Sequence, residues 1–422
     1  TGLLDRTHLR WFTPRMMAAA LRQAGLDLAD VRPRSAYDRA EAERFAAAIE
    51  PGLRAIGVDR AEYLNRAAPL QFVWRAKRAA RPRIVVNATM LAPAGGVSDV
   101  RVIEPIRALA SDCSVLTAIM PEPELRPVIE DAPRIAVLHR PLLLGDAGIA
   151  RVRALLGKGY VVVTEFDDHP VFLENKGVPA EQLLSFTAAH AVQTSTETLA
   201  GVLSRYNPEI GVFPNGILSL PEPRNFRDPD RLTLFFGALN REEDWAPLMP
   251  VLNEVLRAVG SRLSVLVLHD RGFFDALETT HKEFLPLTDY RTYVERLCEA
   301  EICFMPLSDT VFNRAKSDLK YIEAGACRTV ALASPVVYEQ SLRDGETGLI
   351  FRSPDQLRMQ LLRLLAYPEA ARKLADAARD HVAGERMLAY QVQARIDWYR
   401  SLWSRRDELN EALRSRVPAL FA

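Results

Sequence analysis

From residue 83 onward, short runs of β-branched and other apolar residues alternate with amphipathic segments of helical periodicity. Parallel strands are buried on both faces and are joined through helices, so this alternation predicts parallel sheets covered on both sides. One set of predicted strands lies before residue 218 and a second set lies after residue 231. The segment 218–231 between them combines prolines and charges without apolar periodicity, and it is predicted to be a linker.

Each set of strands predicts one Rossmann-like domain, the first over residues 83–217 and the second over residues 232–385. Helical segments continue beyond the second domain, over residues 386–422. Two such domains would form a cleft at the carboxyl ends of both sheets, where open α/β sheets bind ligands. The predicted strands are RIVVNATM, CSVLTAIM, IAVLHR, YVVVTEFDD, HAVQTST and IGVFPNGI in the first domain, and LTLFFGAL, SVLVLHD, EFLPL, ICFMPL and TVALAS in the second.

Composition narrows the class of protein. The chain has 422 residues, 48% of them hydrophobic, which is enough for two cores. Fifty-four basic and 54 acidic residues cancel, so no overall field favours nucleic acid as a partner. The 4 cysteines show no paired spacing, which argues against a zinc site or a disulfide framework. The chain has neither a long apolar run nor a signal pattern, so we expect a cytoplasmic protein, with a peripheral contact at the inner membrane face left open.

Residues 1–82 belong to neither domain and are expected to form a mostly helical extension with one late strand, PLQFVWRAKR. The segment GLLDRTHLRWFTPRMMAAALRQAGL resembles the end of class I S-adenosylmethionine methyltransferases, and LQFVWRAKR resembles the last strand of that fold. No glycine-rich cofactor loop precedes the segment, so methyl transfer by this chain alone is not expected. We interpret residues 1–82 as the remnant of an upstream methyltransferase domain.

The stretch KSDLKYIEAGA lies between two predicted strands of the second domain. At about 100° per residue, Lys316, Lys320 and Glu323 fall along one line of a helix. We predict that Ser317 caps this helix and that its first amides, with Lys316 alongside, bind phosphate. Asp318 in the same turn is a further candidate donor-binding residue. Glu323 could then accept hydrogen bonds from a ribose diol. The alternative is a solvent-exposed pair of Lys320 with Glu323.

A longer segment around this stretch, LSDTVFNRAKSDLKYIEAGACRTVALASPVVYEQSLRDGETGLIF, resembles the C-terminal signature of family-four glycosyltransferases of GT-B fold. The resemblance implies transfer of a sugar from a nucleoside diphosphate sugar with retention of configuration, without a required cofactor and without a metal. In the commonest form of the motif, a glutamate that contacts the sugar stands eight positions before the one matching Glu323. Here Ala315 takes that position.

Two further segments resemble the same family. LAPAGGVSDVRVIEPIRAL places Gly95 and Gly96 after the first strand, where backbone without side chains would approach the donor or acceptor closely. The alternative for this glycine pair is a plain turn. HAVQTSTETLAGVLSRY followed by VFPNGI resembles the segment leading to the interdomain hinge, which predicts Asn215 and Gly216 at that turn.

Two segments of the second domain add donor contacts. LTLFFGALNREEDWAPL resembles the family's first donor-domain strand and loop, and we expect Arg241 to share the diphosphate with Lys316. The alternative for Arg241 is a solvent-facing loop arginine. EFLPLTDYRTYVERLCEAE resembles the region that packs on the base, which makes Leu287 and Tyr290 candidates there. For Tyr290 the alternative is a position in the core.

The segment TEFDDHP ends a buried strand with two carboxylates and an imidazole. Polar groups at such a strand end face the cleft, so Asp167, Asp168 and His169 are candidate catalytic residues that contact the acceptor hydroxyl or the donor sugar. Asp168 could instead cap the following segment. An aspartate pair is compatible with a divalent metal, but the sequence offers no further ligands.

These patterns together predict a retaining GT-B glycosyltransferase that uses a nucleoside diphosphate sugar and a glycan or lipid-linked acceptor, in polysaccharide or glycoconjugate synthesis. Two alternatives stay open at this point: a GT-B nucleotide-sugar epimerase or hydrolase, and a non-catalytic scaffold that binds a nucleotide sugar. The sequence predicts no oligomeric state.

Overall fold

The computed structural model describes residues 14–23, 26–34, 38–66, 71–78, 83–90, 95–120, 132–174, 177–178, 184–228 and 230–422. The chain divides into two compact units. One contains residues up to Arg83 together with Ser111–Ser114, and the other contains Ile84–Ala110 together with Val115–Ala422.

Among its described residues, the smaller unit combines three helices with a two-stranded antiparallel sheet. The sequence predicted helical segments and the later strand here, but it missed the earlier strand, because Pro33 and several charges interrupt its alternation. The Asp-Arg-Thr-His phrase at residues 5–8 lies outside the described residues. The elements are α1 (Pro14–Gln23), β1 (Leu26–Arg34), α2 (Arg39–Ala55), α3 (Arg60–Arg66) and β2 (Gln71–Arg78).

The larger unit begins with a six-stranded parallel sheet in the order β4-β3-β5-β6-β7-β8. A short π-helical turn, Asp99–Ile103, leads directly into the first helix of this domain. The elements are β3 (Ile84–Met90), α4 (Glu104–Leu109), β4 (Val115–Met120), β5 (Arg134–His139), α5 (Gly145–Gly157), β6 (Val161–Glu165), α6 (Val171–Glu174), α7 (Leu184–Thr187), β7 (Ala191–Thr194), α8 (Glu197–Leu203) and β8 (Ile210–Val212).

A second six-stranded parallel sheet follows, in the order β11-β10-β9-β12-β13-β14. Its first half contains β9 (Leu232–Gly237), α9 (Glu242–Trp245), α10 (Met249–Val259), β10 (Leu263–Leu268), α11 (Arg271–Ala276), β11 (Lys282–Leu285) and α12 (Tyr290–Leu297). Its second half contains β12 (Ile302–Met305), α13 (Val311–Arg314), α14 (Leu319–Ala326), β13 (Val330–Ala333), β14 (Leu349–Ile350), α15 (Pro354–Ala366) and α16 (Pro368–Glu385).

The expectation of two Rossmann-like domains is confirmed, and each predicted strand of both sets is present. In the second domain the central strands are buried on both faces of the sheet. Alternate residues of β9 belong to two different apolar clusters, Leu234 and Phe236 to one and Phe235 to the other. This arrangement explains why the strands have near-continuous apolar sequences. The short strand Leu349–Ile350 was not predicted, because two paired residues leave no periodic pattern.

The chain returns to the first Rossmann domain after α16. A bridge between Ile217 and Met387 joins the two crossing segments, and α17 (Val392–Ser404) and α18 (Arg406–Arg416) follow. Ile396 and Tyr399 of α17 belong to the same buried cluster as strands β3 and β5. The C-terminal helices therefore complete the core of the first Rossmann domain, although they follow the second one in sequence.

Candidate functional site

A cavity of about 320 Å³ lies at the carboxyl ends of the strands of both Rossmann domains. It brings together most of the residues that the sequence singled out. Those lining it are Gly95, Gly96, Asp167, Asp168, Arg241, Leu287, Tyr290, Lys316, Ser317, Lys320 and Glu323. Four other predicted site residues, His169, Asn215, Gly216 and Asp318, are not among the residues that line it.

The turn before α14 differs from the predicted helix start. The helix begins at Leu319, so Lys316 precedes it and is not on a helical line with Lys320. Asp318 occupies the N-cap position without a side-chain capping bond, which makes the predicted capping role of Ser317 wrong. The Ser317 hydroxyl instead accepts a hydrogen bond from the Asn215 amide at 2.7 Å. The turn thus presents Lys316 and Ser317 to the cavity.

Lys320 and Glu323 lie on the cavity side of α14. The Lys320 ammonium donates to the carbonyl oxygen of Gly237 and lies 5.5 Å from the centre of the Tyr293 ring. Glu323 is 4% exposed, and the Tyr293 hydroxyl donates to its Oε2 at 3.3 Å. The alternative of a solvent-exposed pair is therefore wrong, because the pair is turned toward the cavity and away from bulk water.

Burial sets the ionisation of this pair. Desolvation lowers the pKa of Lys320, with Glu323 acting in the opposite direction. Desolvation raises the pKa of the Glu323 carboxyl, which the nearby Lys320 ammonium partly offsets. Each charge therefore depends on the other, and a polar ligand that donates hydrogen bonds to Glu323 would stabilise its ionised form.

An aromatic wall faces the glycine turn of the first Rossmann domain. The Tyr290 and Tyr293 rings are nearly parallel, at 13° with centroids 6.2 Å apart. Tyr290 is half-buried and lines the cavity, and Leu287 beside it is 71% exposed. Gly96 adopts φ +75°, and a Cβ atom there would lie 3.8 Å from Cδ2 of Tyr290. The left-handed backbone at Gly96 explains why glycine stands in this turn.

Arg241 is held toward the cavity by its own domain. Its Nη1 donates to Oδ1 of Asn313 at 2.9 Å and to Oδ2 of Asp244 at 3.2 Å. Asp244 is buried and also accepts from the Ser308 amide at 2.8 Å. The alternative of a solvent-facing arginine is wrong, because this network fixes the guanidinium at the cavity edge.

The two aspartates are joined to a residue that the sequence analysis missed. Arg140 follows β5 and donates to Asp167 at 2.7 Å and also to Asp168. Asp168 bonds in addition to the Lys316 ammonium of the other Rossmann domain. Although burial acts in the opposite direction, Lys316 and Arg140 hold the pKa of Asp168 below its ordinary value. Arg140 could have been found by applying the strand-end argument to every strand of the sheet, since it ends the predicted strand IAVLHR.

Three other predicted residues follow strands of the first Rossmann domain without lining the cavity. His169 accepts from the Val171 amide at 3.1 Å through Nδ1, a local contact after β6. Asn215 is buried and accepts from Arg101 at 2.7 Å. A Cβ atom on Gly216 would lie 3.1 Å from the carbonyl oxygen of Arg386. Asn215 and Gly216 thus lie where the chain crosses between the two Rossmann domains.

Asp318 is bound by a residue of the returning chain. Arg386 donates to both carboxylate oxygens of Asp318, at 2.5 and 2.9 Å, and to the carbonyl oxygen of Asn215 at 3.2 Å. These contacts connect the turn before α14 with the crossing segments. Asp318 therefore supports the turn from behind and does not itself line the cavity.

The position of the missing motif glutamate is closed. Ala315 is 1% exposed and packs in a cluster that contains Phe166 and Phe186 of the first Rossmann domain. The Thr196 hydroxyl donates to its carbonyl oxygen at 3.4 Å. Ala315 is not among the residues that line the cavity, so its side chain offers no contact to a ligand there.

Glu104, at the start of α4, is a second residue that the sequence analysis did not single out. Burial, reinforced by the charges of Glu323 and Asp99, raises its pKa to about 7. The charge of Glu323 thus acts on this carboxyl, although Glu104 is not among the residues that line the cavity. An isolated glutamate in a helical segment gave no sequence signal for this.

The described residues contain no cluster of three or more histidine, cysteine, aspartate and glutamate side chains that could hold a metal ion. In the same part of the chain, none of the helices has the length and apolar character needed to cross a membrane.

Residues 252–397 match the family described as "Glycosyl transferase-like". This match covers most of the second Rossmann domain and the beginning of the returning helices. No curated protein sequence matches the chain.

Solved structures are similar to the chain at low sequence identity. The structure of Alr3699/HepE from Anabaena, in complex with UDP and glucose, has 12% identity and a TM-score of 0.53, covering 76% of this chain and 100% of that one. Sucrose-phosphate synthase from Thermosynechococcus elongatus has 15% identity and a TM-score of 0.53, covering 76% and 99%. TarM from S. aureus has 11% identity and a TM-score of 0.47 over 63% of this chain, which spans only 55% of the TarM chain. The larger unit has the GT-B fold, as the sequence predicted.

Proposed function

We propose that the chain is a glycosyltransferase that binds a nucleoside diphosphate sugar in the cavity between its two Rossmann domains. The observation that carries the proposal is the combination of Lys316, Lys320 and Arg241 with the buried acceptor Glu323 and the Tyr290 ring in one cavity. The match of residues 252–397 to a glycosyltransferase-like family supports it, as does a GT-B structure with UDP and glucose bound.

The diphosphate would lie against the turn before α14. Lys316 and Arg241 both line the cavity, and the positive end of the α14 dipole lies beside them. A leaving nucleoside diphosphate gains negative charge as the bond to the sugar breaks, so fixed cations stabilise the transition state more than the ground state. This is the main electrostatic role that we assign to Lys316 and Arg241.

The ribose and the base would occupy the buried end and the aromatic wall. Glu323 accepts from the Tyr293 hydroxyl, and its carboxylate has lone pairs left for the hydroxyls of a ribose. Tyr290 and Leu287 offer flat apolar surface for the base. We therefore propose Glu323 as the ribose ligand, with Tyr290 and Leu287 as base contacts.

The acceptor would enter from the first Rossmann domain. We keep Asp167, Asp168 and His169 as proposed catalytic or acceptor-binding residues, with Gly95 and Gly96 allowing close backbone approach. Asp167 and Asp168 both accept hydrogen bonds from Arg140, and their remaining lone pairs suit a role as hydrogen-bond acceptors for a sugar hydroxyl. Asn215 and Gly216 are the proposed hinge, and closure there would exclude water from the reaction.

Several finer features are proposed from the sequence resemblance alone. They are retention of anomeric configuration, a glycan or lipid-linked acceptor, and action without a cofactor other than the donor substrate; the proposed cytoplasmic location, with contact at the inner membrane face left open, rests instead on the apolar pattern of the sequence. From the same kind of argument we propose that residues 1–82 derive from a methyltransferase domain. Each of these concerns chemistry or context beyond the described contacts.

The test is release of nucleoside diphosphate from UDP-glucose, UDP-N-acetylglucosamine, GDP-mannose and ADP-glucose by the full chain, with and without oligosaccharide acceptors. We expect acceptor-dependent release with one of these donors. Lys316→Ala should reduce it about 100-fold or more, the order of loss seen when one group that stabilises developing charge is removed. Lys373→Ala, at an exposed lysine of α16, is the matched control and should leave release unchanged.

Other outcomes separate the alternatives. Release that needs no acceptor would indicate a hydrolase, and binding without any turnover would indicate a scaffold. The proposal is wrong if no nucleoside diphosphate sugar binds. The anomeric coupling constant of the product, measured by NMR, decides whether configuration is retained.

A further inference from the structure

One ion pair joins the two Rossmann domains directly across the cavity. The Lys316 ammonium, which precedes α14, bonds to Oδ1 of Asp168, which follows β6. Both residues line the cavity, and their side chains are 22% and 15% exposed. The contact is therefore in the space where the proposed diphosphate would bind, and it is shielded enough from water to matter energetically.

Lys316 differs from the other cations of the second Rossmann domain in this cavity. Arg241 is held by Asp244 and Asn313 of its own domain. The Lys320 ammonium donates to the Gly237 carbonyl oxygen, also within that domain. The carboxylate that Lys316 contacts belongs to the opposite domain, so a ligand can take its place without disturbing the core of either domain.

Asp168 has a second cationic partner, Arg140. Arg140 donates to Asp168 and, at 2.7 Å, to Asp167. If Lys316 turns to another anion, Asp168 stays paired with Arg140 and no buried carboxylate is left alone. The exchange therefore avoids the large cost of an uncompensated buried charge.

The rest of the turn is fixed by contacts that this exchange does not use. The Asn215 amide holds the Ser317 hydroxyl at 2.7 Å, and Arg386 binds the Asp318 carboxylate. The backbone of the turn can thus stay in place while the Lys316 side chain changes partner.

We propose that Asp168 is an internal competitor of the substrate, an anion that holds Lys316 until the diphosphate of a nucleoside diphosphate displaces it. This inference rests on the donor site of the proposed function and adds a regulatory property to it. Before the donor binds, the ion pair between Asp168 and Lys316 connects the two Rossmann domains. When the donor binds, its diphosphate replaces the Asp168 carboxylate as the partner of Lys316. Affinity for the phosphates is lowered by the strength of the internal pair.

The test compares dissociation constants measured by titration calorimetry with UDP, GDP, ADP and dTDP, continuing with whichever binds the wild-type chain. Asp168→Asn should bind that nucleoside diphosphate about three- to tenfold more tightly, the range expected for losing one partly buried competing pair. The corresponding nucleoside without phosphates should bind both proteins equally, because it does not need Lys316.

Asp167→Asn is the matched control. It removes the same charge from the same segment, but Asp167 contacts Arg140 and not Lys316. Its effect on the dissociation constant of the nucleoside diphosphate should stay below about twofold, the level expected from a general change in the electrostatic field. In a Lys316→Ala background, Asp168→Asn should give no gain at all.

The results separate the two proposals. Unchanged or weaker binding by Asp168→Asn, or an equal gain in Asp167→Asn or in the Lys316→Ala background, overturns the competitor role while leaving the proposed function intact. If no nucleoside diphosphate binds the wild-type chain, the proposed function itself fails and the competitor role fails with it. Circular dichroism checks folding, and Asp168→Ser is the replacement if the asparagine variant does not fold.

Discussion

Replacing Glu323 with glutamine tests the ribose assignment with the smallest change of shape. Glu323 is 4% exposed at the cavity wall, with the Tyr293 hydroxyl 3.3 Å from its Oε2. Glutamine keeps the volume and one acceptor oxygen but removes the negative charge. The Tyr293 contact can be kept through that oxygen, whereas the hydrogen bond between Tyr290 and the carboxylate can be weakened together with any contact to the ribose.

The expected loss follows from the strength of charged hydrogen bonds. A hydrogen bond to a charged group contributes about 1.5–3 kcal/mol, and a neutral one contributes about 1 kcal/mol. Glu323→Gln should therefore weaken nucleoside diphosphate binding by about 0.5–2 kcal/mol, which is about 2- to 30-fold in the dissociation constant. Glu323→Gln also removes the charge that supports the buried Lys320 ammonium, so we expect a lower melting temperature in addition to the weaker binding.

The assay is a double comparison by titration calorimetry. Wild-type protein and Glu323→Gln are each titrated with a ribonucleoside diphosphate and with its 2′-deoxy and 3′-deoxy forms. The wild-type protein should bind the ribose form more tightly than the deoxy forms. This difference in affinity should be smaller in the variant, because the carboxylate that accepts hydrogen bonds from the ribose hydroxyls has been removed. Glu346→Gln, at an exposed glutamate, is the control and should behave as wild type.

Two results would refute the reasoning. One is equal affinity of wild type and Glu323→Gln for the ribose form. The other is an undiminished preference for ribose in the variant, which would mean that a different group contacts the hydroxyls.

Two other predictions concern the surroundings of the cavity. The Glu104 pKa of about 7, against an ordinary 4.5, means that this carboxyl stabilises the fold while it is protonated, and that this contribution is lost as the pH rises through about 7. Glu104→Gln should therefore raise the free energy of unfolding above wild type by up to about 3 kcal/mol at about pH 8.5, and by almost nothing near pH 4.5; urea titrations that show an equal gain at both pH values would contradict this. In Gly237→Ala, the new Cβ atom would lie 2.6 Å from the Phe235 ring and 2.8 Å from the Tyr293 ring, so we expect about 1–3 kcal/mol of destabilisation and weaker nucleotide binding. Gly201→Ala, where a Cβ atom meets nothing within 4 Å, is the control, and equal unfolding curves for the two variants would show that the clash is absent.

The overall architecture could be predicted because long parallel strands leave a strong pattern. Strands buried on both faces need continuous apolar runs, and the helices between them need one apolar face. The strands Leu26–Arg34 and Leu349–Ile350 were not predicted, for two different reasons. The first contains Pro33 and forms part of a two-stranded sheet, and the second pairs over two residues only.

Site residues could be predicted where the strand or helix that carries them determines their position. Glu323 and Tyr290 reach the cavity through the elements that carry them, so their positions followed from the fold. Ser317 was assigned a capping role from its residue type, but its hydroxyl binds Asn215 of the other Rossmann domain. Sequence spacing carries no information on such a contact, because the partners are 102 positions apart.

Arg140 and Glu104 were not predicted because their partners are also distant in the chain. Both are single charged residues whose roles come from neighbours distant in the chain, Asp167 and Asp168 for one and Glu323 for the other. Arg140 ends a predicted strand and was within reach of the strand-end argument. Glu104 lies in an ordinary helical segment, and only the packing of the two Rossmann domains brings it near Glu323.

The most direct test of the account is a crystal structure of the full chain with the nucleoside diphosphate that binds it. We expect the phosphates within hydrogen-bonding distance of the Lys316 ammonium, the ribose hydroxyls on Glu323 and the base against Tyr290. A nucleotide bound outside this cavity, or bound in it with Glu323 contacting no ribose oxygen, would contradict the central claim.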